Sequence, residues 1–315
     1  MTLADYFSVM ASPLVSIIIP VFNSKPYLHR CLDSVIEQRF EEMVEILLVD
    51  DGSTDGSAAI CDEYARNYAL ISVFHTGNRG ASLARRWGLE RARGEYVTFV
   101  DSDDFISSNY LSSLYDLEKR FNLGISACAV QQIQPGEIPK DSSSIVHSEI
   151  LDGDELFHRF FKYEFWGLYG KLYRKQLVMS IPFPKATLCE DYYVTARLFH
   201  LVKRIAYSSE PLYYYEEHAG SLSRGAFSLR SFEEFDNVLD VYLLTAAEMP
   251  AFRLNALSNA IETAVKLLWA SRQARAFYQD QRRKLKAFLA EHRKDLLACP
   301  NLFSKTKALA LLLSL

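Results

Sequence analysis

Disulfide chemistry, a membrane span and a nucleotide fingerprint are all missing from this chain. Its five cysteines (31, 61, 128, 189 and 299) are odd in number, scattered and without a C-x-x-C spacing. That speaks against a disulfide framework or a cysteine zinc site and fits reduced, mostly buried thiols. Wholly apolar runs fall far short of the roughly 18 residues a spanning helix needs. The start, Met1-Thr2-Leu3-Ala4-Asp5, has no basic stretch leading into an apolar one, so no secretory leader is expected. No G-x-G-x-x-G follows the first apolar strand and no Walker lysine loop occurs, which takes support from dinucleotide oxidoreductases and P-loop NTPases. Nor is one sign of charge in excess. A formal net charge of −4 argues against a general nucleic-acid binder.

What remains is ordinary soluble composition over 315 residues, 49% hydrophobic and 23% charged, enough for one large domain or two smaller ones. Residues 1–13 are an undistinguished lead-in. Val15-Ser16-Ile17-Ile18-Ile19 is β-branched and continuous, the pattern of a strand buried on both faces. Asn23 or Ser24 is placed to cap a helix with Pro26 in its first turn, and Leu28, Cys31, Leu32, Val35 and Ile36 recur at helical spacing. Glu45–Val49 predicts a second strand, stopped by Asp50-Asp51-Gly52-Ser53-Thr54-Asp55-Gly56, whose polar residues cap a helix reaching about Arg66. Leu70–Phe74 is a third strand. Ala81–Arg93 is a helix with Leu83, Ala84 and Trp87 on one side, and Tyr96–Val100 is the fourth strand. Strands spaced by roughly 25–30 residues leave room for helical crossovers, so a doubly wound, mainly parallel α/β sheet is expected.

Ligands of such a sheet bind beyond the carboxyl ends of its strands. Asn23, Asp50, Asp51, His75 and Asp101–Asp104 would meet there. The fourth strand stops at Asp101-Ser102-Asp103-Asp104, and clustered carboxylates repel each other unless a cation sits among them. A divalent metal with a phosphorylated ligand is one explanation; a solvated acidic turn is the plain one. A phospho-receiver domain also pairs acids at a strand end. There, however, the pair follows the first strand, not the second.

Four stretches occur in order: Val15–Asn23, Val49–Ser57, Asn78-Arg79-Gly80 with Ala84-Arg85, and Gly94–Asp104. Together they resemble the nucleotide-sugar domain of the inverting family 2 glycosyltransferases, with the GT-A fold. The resemblance implies a base-lining role for Val21 and Phe22, counts Asn23 among the nucleotide-sugar-binding residues, and places Asp51 on the imide hydrogen of uracil. It puts Arg85 near the base or diphosphate, Asp101 and Ser102 on the nucleotide sugar, and Asp101 and Asp103 on the metal. Mn²⁺ or Mg²⁺ is implied, a hard cation suited to carboxylate and phosphate oxygens.

Further on, 109–121 reads as a helix, Ile125–Val130 as a strand, and Gln131–Ser148 as a polar surface excursion. Phe157–Tyr173 is dense in aromatics, which serve either a core or a sugar platform. Within it Trp166 and Lys171 resemble the family segment that contacts the acceptor. After the extended arm Ile181–Pro184 come Glu190 and Asp191, opening a helix with Val194, Leu198, Leu201 and Val202 on its buried side. Acids in a first turn suit the helix dipole. The resemblance makes Asp191 the catalytic base and Glu190 its neighbour in positioning sugar or acceptor. Pro211–Ser223 resembles the family's closing segment, implying His218 as a metal ligand and Ser221, Ser223 and Arg224 as phosphate contacts.

The expected organisation is a lead-in (1–13), a catalytic domain (14–230, split at 108/109 into nucleotide-sugar and acceptor halves) and a helical basic region (231–315). Residues 281–315 hold eight Lys/Arg against two Asp/Glu. They are expected either to lie on an anionic membrane or to cap the fold. The resemblance implies a metal-assisted inverting transferase that moves a hexosyl or N-acetylhexosaminyl group from a UDP-sugar to a hydroxyl of a glycan or lipid-linked glycan. Surface polysaccharide or lipooligosaccharide synthesis would be its setting, and the cytoplasm or the inner face of the cytoplasmic membrane its place. The rivals are a nucleotidyltransferase and a non-catalytic sugar-nucleotide-binding protein.

Overall fold

The computed structural model describes residues 12–134, 136–137, 139, 147–184, 188–217, 227–300, 302 and 306. His218, Ser221, Ser223 and Arg224 lie outside them, as do most of the lead-in and the terminal leucines. In chain order the elements are β1 (Val15–Val21), α1 (Lys25–Ile36), β2 (Val44–Asp50), α2 (Ser57–Asn67), β3 (Ile71–His75), α3 (Ala81–Arg91) and β4 (Tyr96–Phe99). There follow β5 (Phe105–Ile106), α4 (Tyr110–Phe121), β6 (Ile125–Ile133), β7 (Ser148–Leu151), α5 (Gly153–Phe160), β8 (Lys171–Arg174) and α6 (Lys175–Met179). The last are α7 (Glu190–Val202), β9 (Ile205–Glu216), α8 (Glu233–Glu248), α9 (Arg253–Ala270) and α10 (Gln279–Glu291). Two compact units result, one made of 1–152, 167–183 and 202–221, the other of 153–166, 184–201 and 222–315.

The first unit holds the sheet. Every residue of β1 is buried, as a run apolar on both faces requires. It pairs in parallel with β2 (Ile17 opposite Ile46) and β4 (Ile17 opposite Thr98), and β2 pairs in parallel with β3. The four strands read from the sequence thus stand in the order β3-β2-β1-β4, their carboxyl ends on one edge. Beyond β4 the order continues β8-β6-β9-β5. β8 is antiparallel to both β4 and β6, and β9 is parallel to β6 with register shifts around Cys128–Val130. β5 and β7 are short antiparallel partners of β9. The polar excursion after 131 is therefore shorter than its sequence suggests, because 131–133 finish β6 and Ser148 begins β7.

α3 departs from its sequence reading. Ser82, Ala84, Arg85, Gly88 and Leu89 are buried, while Leu83 and Trp87 are only half-buried. A methyl group on Gly88 would come 2.5 Å from Ile18 Cγ2, so this glycine lets the helix lie directly on β1. The face that can approach the sheet is fixed by the missing side chain rather than by the largest apolar ones.

The second unit is helical with an aromatic core. Phe157, Phe160 and Phe161 are fully buried. Phe160 stacks on Tyr192 with centroids 5.0 Å apart, and Phe157 meets His200 edge-on at 4.8 Å. α7 is buried nearly all round, the mark of a helix packed on several sides. Leu201, expected on its covered side, is 54% exposed because the helix ends there and its last turn opens to water. Phe288 of α10 packs between Phe235 and Tyr242 of α8, so one face of the basic tail is part of the core. Among the described residues no helix is long and apolar enough to cross a membrane.

Candidate active site

Four loops leave the carboxyl edge of β1–β4, and direct hydrogen bonds knit them together. After β1, Asn23 turns the chain through a left-handed conformation (φ 50°), a shape that asparagine tolerates. Its N–H donates to Ser53 Oγ (3.0 Å) and its Oδ1 accepts from Thr54 N (2.8 Å). Asp55 then serves two helices at once. Its carboxylate accepts from Lys25 N (3.0 Å) at the start of α1, and from Ser57 N (2.9 Å) and Ser57 Oγ (2.6 Å) at the start of α2. Partial burial opposes its ionisation, but these bonds outweigh that and hold the carboxyl below its ordinary range. Ser24 does not cap α1 with its side chain, as its sequence position suggests. Its hydroxyl shares a 2.6 Å hydrogen bond with Ser102 Oγ instead.

The acids after β2 divide their work. Asp50 Oδ1 accepts from Ser53 N (3.1 Å), and Oδ2 meets His75 Nδ1 (2.9 Å) at the end of β3. Asp51, only 3% exposed, accepts from Thr76 Oγ1 (2.9 Å), Arg79 N (2.9 and 3.0 Å to its two oxygens) and Gly80 N (2.6 Å). Those contacts fill the roughly four lone-pair directions of a carboxylate. Asp51 therefore shapes the 76–80 loop, and the expected imide N–H of a base would have to share or displace one of these donors. Of the other residues expected beside the base, Val21 is wholly buried in the sheet, and Phe22 is half-buried with surface to offer.

Hydrogen bonding to Asp50, against some burial and with help from Asp62 Oδ1 (3.1 Å), raises the His75 imidazole above its usual range. A raised folded-state value means that the contribution to stability is fully present below the unfolded histidine value of about 6.5 and is lost as pH rises through the folded one. Urea midpoints of wild type and His75→Gln should therefore differ most at pH 5.5 and converge by pH 8.5. A gap that widens with pH would rule this out.

The acidic turn after β4 is held from three sides. Asp101 Oδ1 accepts from Arg85 Nη2 at 2.7 Å, so the buried guanidinium of α3 faces the turn instead of water. Asp101 N donates to Tyr213 Oη (3.1 Å), and Asp104 N closes the turn onto Asp101 O (3.0 Å). Asp104 is 1% exposed, accepting from Tyr213 Oη (2.6 Å) and Glu216 N (3.1 Å). It locks the turn to the end of β9. Sequence reading gave it no more than a turn or capping duty, because its partner Tyr213 lies 109 residues further along the chain. Glu216 itself pairs with Arg30 of α1.

Burial, then the charges of Asp101 and Asp103, pushes Asp104 well above the usual carboxylate range. Burial and the same three carboxylates push up the Cys31 thiol. The turn is thus a concentration of negative charge, with Arg85 against it. Two carboxylates joined by phosphate oxygens are a donor set that a hard divalent cation accepts, so Asp101 and half-exposed Asp103 fit such an ion. Among the described residues no group of three metal-ligating side chains occurs, and His218, the third ligand implied by resemblance, lies outside them.

The second unit carries Trp166, Glu190 and Asp191. Cys189 precedes them in a left-handed conformation (φ 56°), a strained shape for a side chain of this kind and one that functional sites often retain. Glu190 is buried, Asp191 half-buried with Oδ1 accepting from Tyr192 N (2.8 Å). Trp166 donates Nε1–H to Phe160 O (2.9 Å), and its ring lies 4.3 Å from those of Tyr163 and Tyr192. Lys171, in the first unit, is buried. Its ammonium donates to Gly167 O (2.6 Å) and Tyr169 O (3.2 Å), holding that turn.

Residues 16–181 match the family described as Glycosyl transferase family 2. The chain belongs to this family. Among its relatives, glycosyltransferase GlyA of Streptococcus pneumoniae is 33% identical over 222 residues, covering 67% of this chain and 31% of GlyA. Uncharacterized glycosyltransferase EpsJ of Bacillus subtilis is 32% identical over 223 residues, covering 67% of this chain and 63% of EpsJ. The chain thus spans about a third of one and under two thirds of the other. Among solved structures, S. aureus TarS 1–349 in complex with UDP superposes with a TM-score of 0.69 at 19% identity, covering 95% of this chain and 86% of that one. The family 2 chain and TarS share the mixed α/β, GT-A fold.

Proposed function

We propose that this family 2 chain is an inverting glycosyltransferase taking a UDP-sugar to a hydroxyl of a glycan or lipid-linked glycan. The observation that carries the reading is the carboxyl edge of β1–β4. There the loops after four parallel strands are bonded to one another around Asp101–Asp104, with Arg85 on Asp101. In support of UDP as the carrier, TarS is solved with that nucleotide. Phe22 and Asn23 would line the base and Asp51 would hold the 76–80 loop beside it. Arg85, Asp101 and Ser102 would hold ribose and diphosphate. Residues 14–108 would bind the donor, 109–230 would complete the catalytic domain and bind the acceptor, and 231–315 would form the helical region.

Asp101 and Asp103, with His218 from outside the described residues, would hold Mn²⁺ or Mg²⁺. Such an ion offsets the charge that builds on a departing diphosphate. The chain's own chemistry lies elsewhere. Asp191 would accept the proton of the acceptor hydroxyl as its oxygen attacks the anomeric carbon opposite the diphosphate, inverting that centre. Glu190 would orient the sugar or acceptor. Trp166 would stack on the acceptor's C–H face, and Lys171 would contribute by fixing the 167–169 turn. Synthesis of a surface polysaccharide or lipooligosaccharide fits this substrate class.

Release of UDP from a panel of UDP-sugars, with oligosaccharide acceptors and Mn²⁺, tests the proposal. At least one donor should turn over, and Asp103→Asn should lower the rate by about 10²-fold or more, the scale of losing one charge-stabilising group. Pyrophosphate released from UTP and a sugar phosphate would point to a nucleotidyltransferase. Donor binding without turnover on any acceptor would point to a binding protein. Either result would overturn the proposal.

A further inference from the structure

The corner between α9 and α10 is built to hold apolar and cationic side chains out of the protein. Phe277 is 76% exposed and Trp269 55%, at the end of α9 and just before the start of α10. Between them Arg272 and Arg275 are also exposed. An isolated exposed aromatic needs no explanation, but this pair flanks one helix–helix corner. Tyr278, next to Phe277, turns inward against Phe227 (5.5 Å) and Phe232 (5.3 Å). Phe277 N and Tyr278 N both donate to Ala274 O (3.1 and 3.3 Å). Arg282 reaches back from α10 and donates to Leu268 O (2.6 Å), closing the corner from below. With Tyr278 as the inward anchor, the backbone leaves Phe277 on the outside.

The charge around the aromatics is mainly positive. From Trp269 to Lys286 inclusive the sequence has six Arg/Lys and one acid, Asp280. Asp280 faces Arg283 at 3.4 Å, and Lys284 is paired with Asp236. Arg272 lies over the Trp269 ring with its guanidinium carbon 4.4 Å from the centroid, a cation–π contact that places the charge directly above the apolar face. Burial and the nearby charge of Arg275 lower the Arg282 guanidinium, a sign of crowded cations. Exposed aromatic rings set among exposed arginines match a lipid interface. The rings enter the boundary of the acyl chains while the guanidinium groups stay with anionic headgroups.

We infer that the corner of residues 269–277 is a docking surface for an anionic phospholipid bilayer. The inference is independent of catalysis, and it moves membrane contact from the basic stretch after 280 to the corner before it. The face of α10 bearing Leu285, Phe288 and Leu289 is buried in the protein and is not available to lipid.

Sedimentation of the full chain with vesicles of 70% phosphatidylcholine and 30% phosphatidylglycerol, against pure phosphatidylcholine, tests this. Wild type should partition at least tenfold more strongly onto the anionic vesicles. Phe277→Ser with Arg275→Gln should lower that partitioning by tenfold or more, with an unchanged far-UV CD spectrum. Arg293→Gln with Lys294→Gln, on the tail, should change it less than twofold. Trp269 fluorescence, read in a Trp87→Phe, Trp166→Phe background, should be quenched by brominated lipid. Equal binding by the corner variant, binding lost only in the tail variant, equal binding to neutral vesicles, or no wild-type binding would each overturn the inference. UDP release by the same preparations reports separately on the proposed activity.

Discussion

Asp191→Asn should lower the turnover number for sugar transfer by about 10²–10⁴-fold, the contribution of a positioned general base, with little change in the KM for the donor. The substitution keeps shape and keeps an oxygen to accept from Tyr192 N, which Asp191 Oδ1 does at 2.8 Å. The side chain is half-buried, so no large cavity is created. What the amide lacks is proton affinity. The competing explanation for an acid in the first turn of α7 is the helix dipole, worth roughly 0.3–1 kcal/mol of stability and nothing in rate. The two part cleanly. A base loses turnover and the acid limb of the pH–rate profile while its urea midpoint barely moves, whereas a dipole partner shifts the midpoint and leaves transfer within a few fold. The second pattern would remove Asp191 from the mechanism. Glu190 is a poorer place to ask the question, because at 6% exposure its replacement would disturb folding as well.

The largest effect on stability is expected at Gly94. A methyl group there would lie 2.7 Å from Ser16 N, 2.8 Å from Ser16 Oγ and 2.8 Å from Tyr96 O. Two of those atoms are backbone, and neither strand start moves freely. The same spot anchors a buried carboxylate. Gly94 N donates to Ser16 Oγ (2.9 Å), which donates to Glu45 Oε1 (2.7 Å), and Glu45 also accepts from Arg93 N (2.6 Å) and Arg93 Nε (2.8 Å). Pushing Ser16 aside would overpack the junction of β1 and β4 and loosen the partners of a carboxylate only 6% exposed. Overpacking alone costs about 1–3 kcal/mol, and a disturbed buried charge adds to it. Gly94→Ala should show a matching fall in urea midpoint. Gly77→Ala, where nothing lies within 4 Å of the added carbon, is the control and should stay within about 0.5 kcal/mol of wild type. Equal midpoints for the two variants would contradict the packing argument.

The half of the fold that carries the β1–β4 carboxyl edge was legible in the sequence because parallel strands buried on both faces are nearly continuous apolar runs. β1, β2 and β4 are such runs, and their stops are the acids and asparagine of the candidate site. The other half was hidden by distance and irregularity. β8 has four residues and enters the sheet beside β4, although some seventy residues separate them in the chain; no local pattern can announce that. β9 pairs with β6 from Ala206 to Glu216 but shifts register around Pro211, which interrupts its alternation. Arg85 was legible as a residue and not as a position. A helical arginine reads as solvated, and only Gly88, three places on, hints that this side of α3 faces the sheet. The part of Asp104 depended on Tyr213, a partner more than a hundred residues away. Positions 190 and 191 were visible by resemblance, and their chemistry remains for the Asp191 measurement to decide.

Asp51 carries a consequence for how this protein varies. Because its carboxylate already organises Thr76, Arg79 and Gly80, a mutational library scored on activity alone would rank position 51 as essential even if it never met a ligand. Loss of the acid would release the loop whichever role it plays. Half-buried Phe22 can vary with little cost to its neighbours, but position 51 and the loop from 76 to 80 are inherited as one unit. The loop can drift in sequence only where the backbone N–H groups that Asp51 holds stay in place.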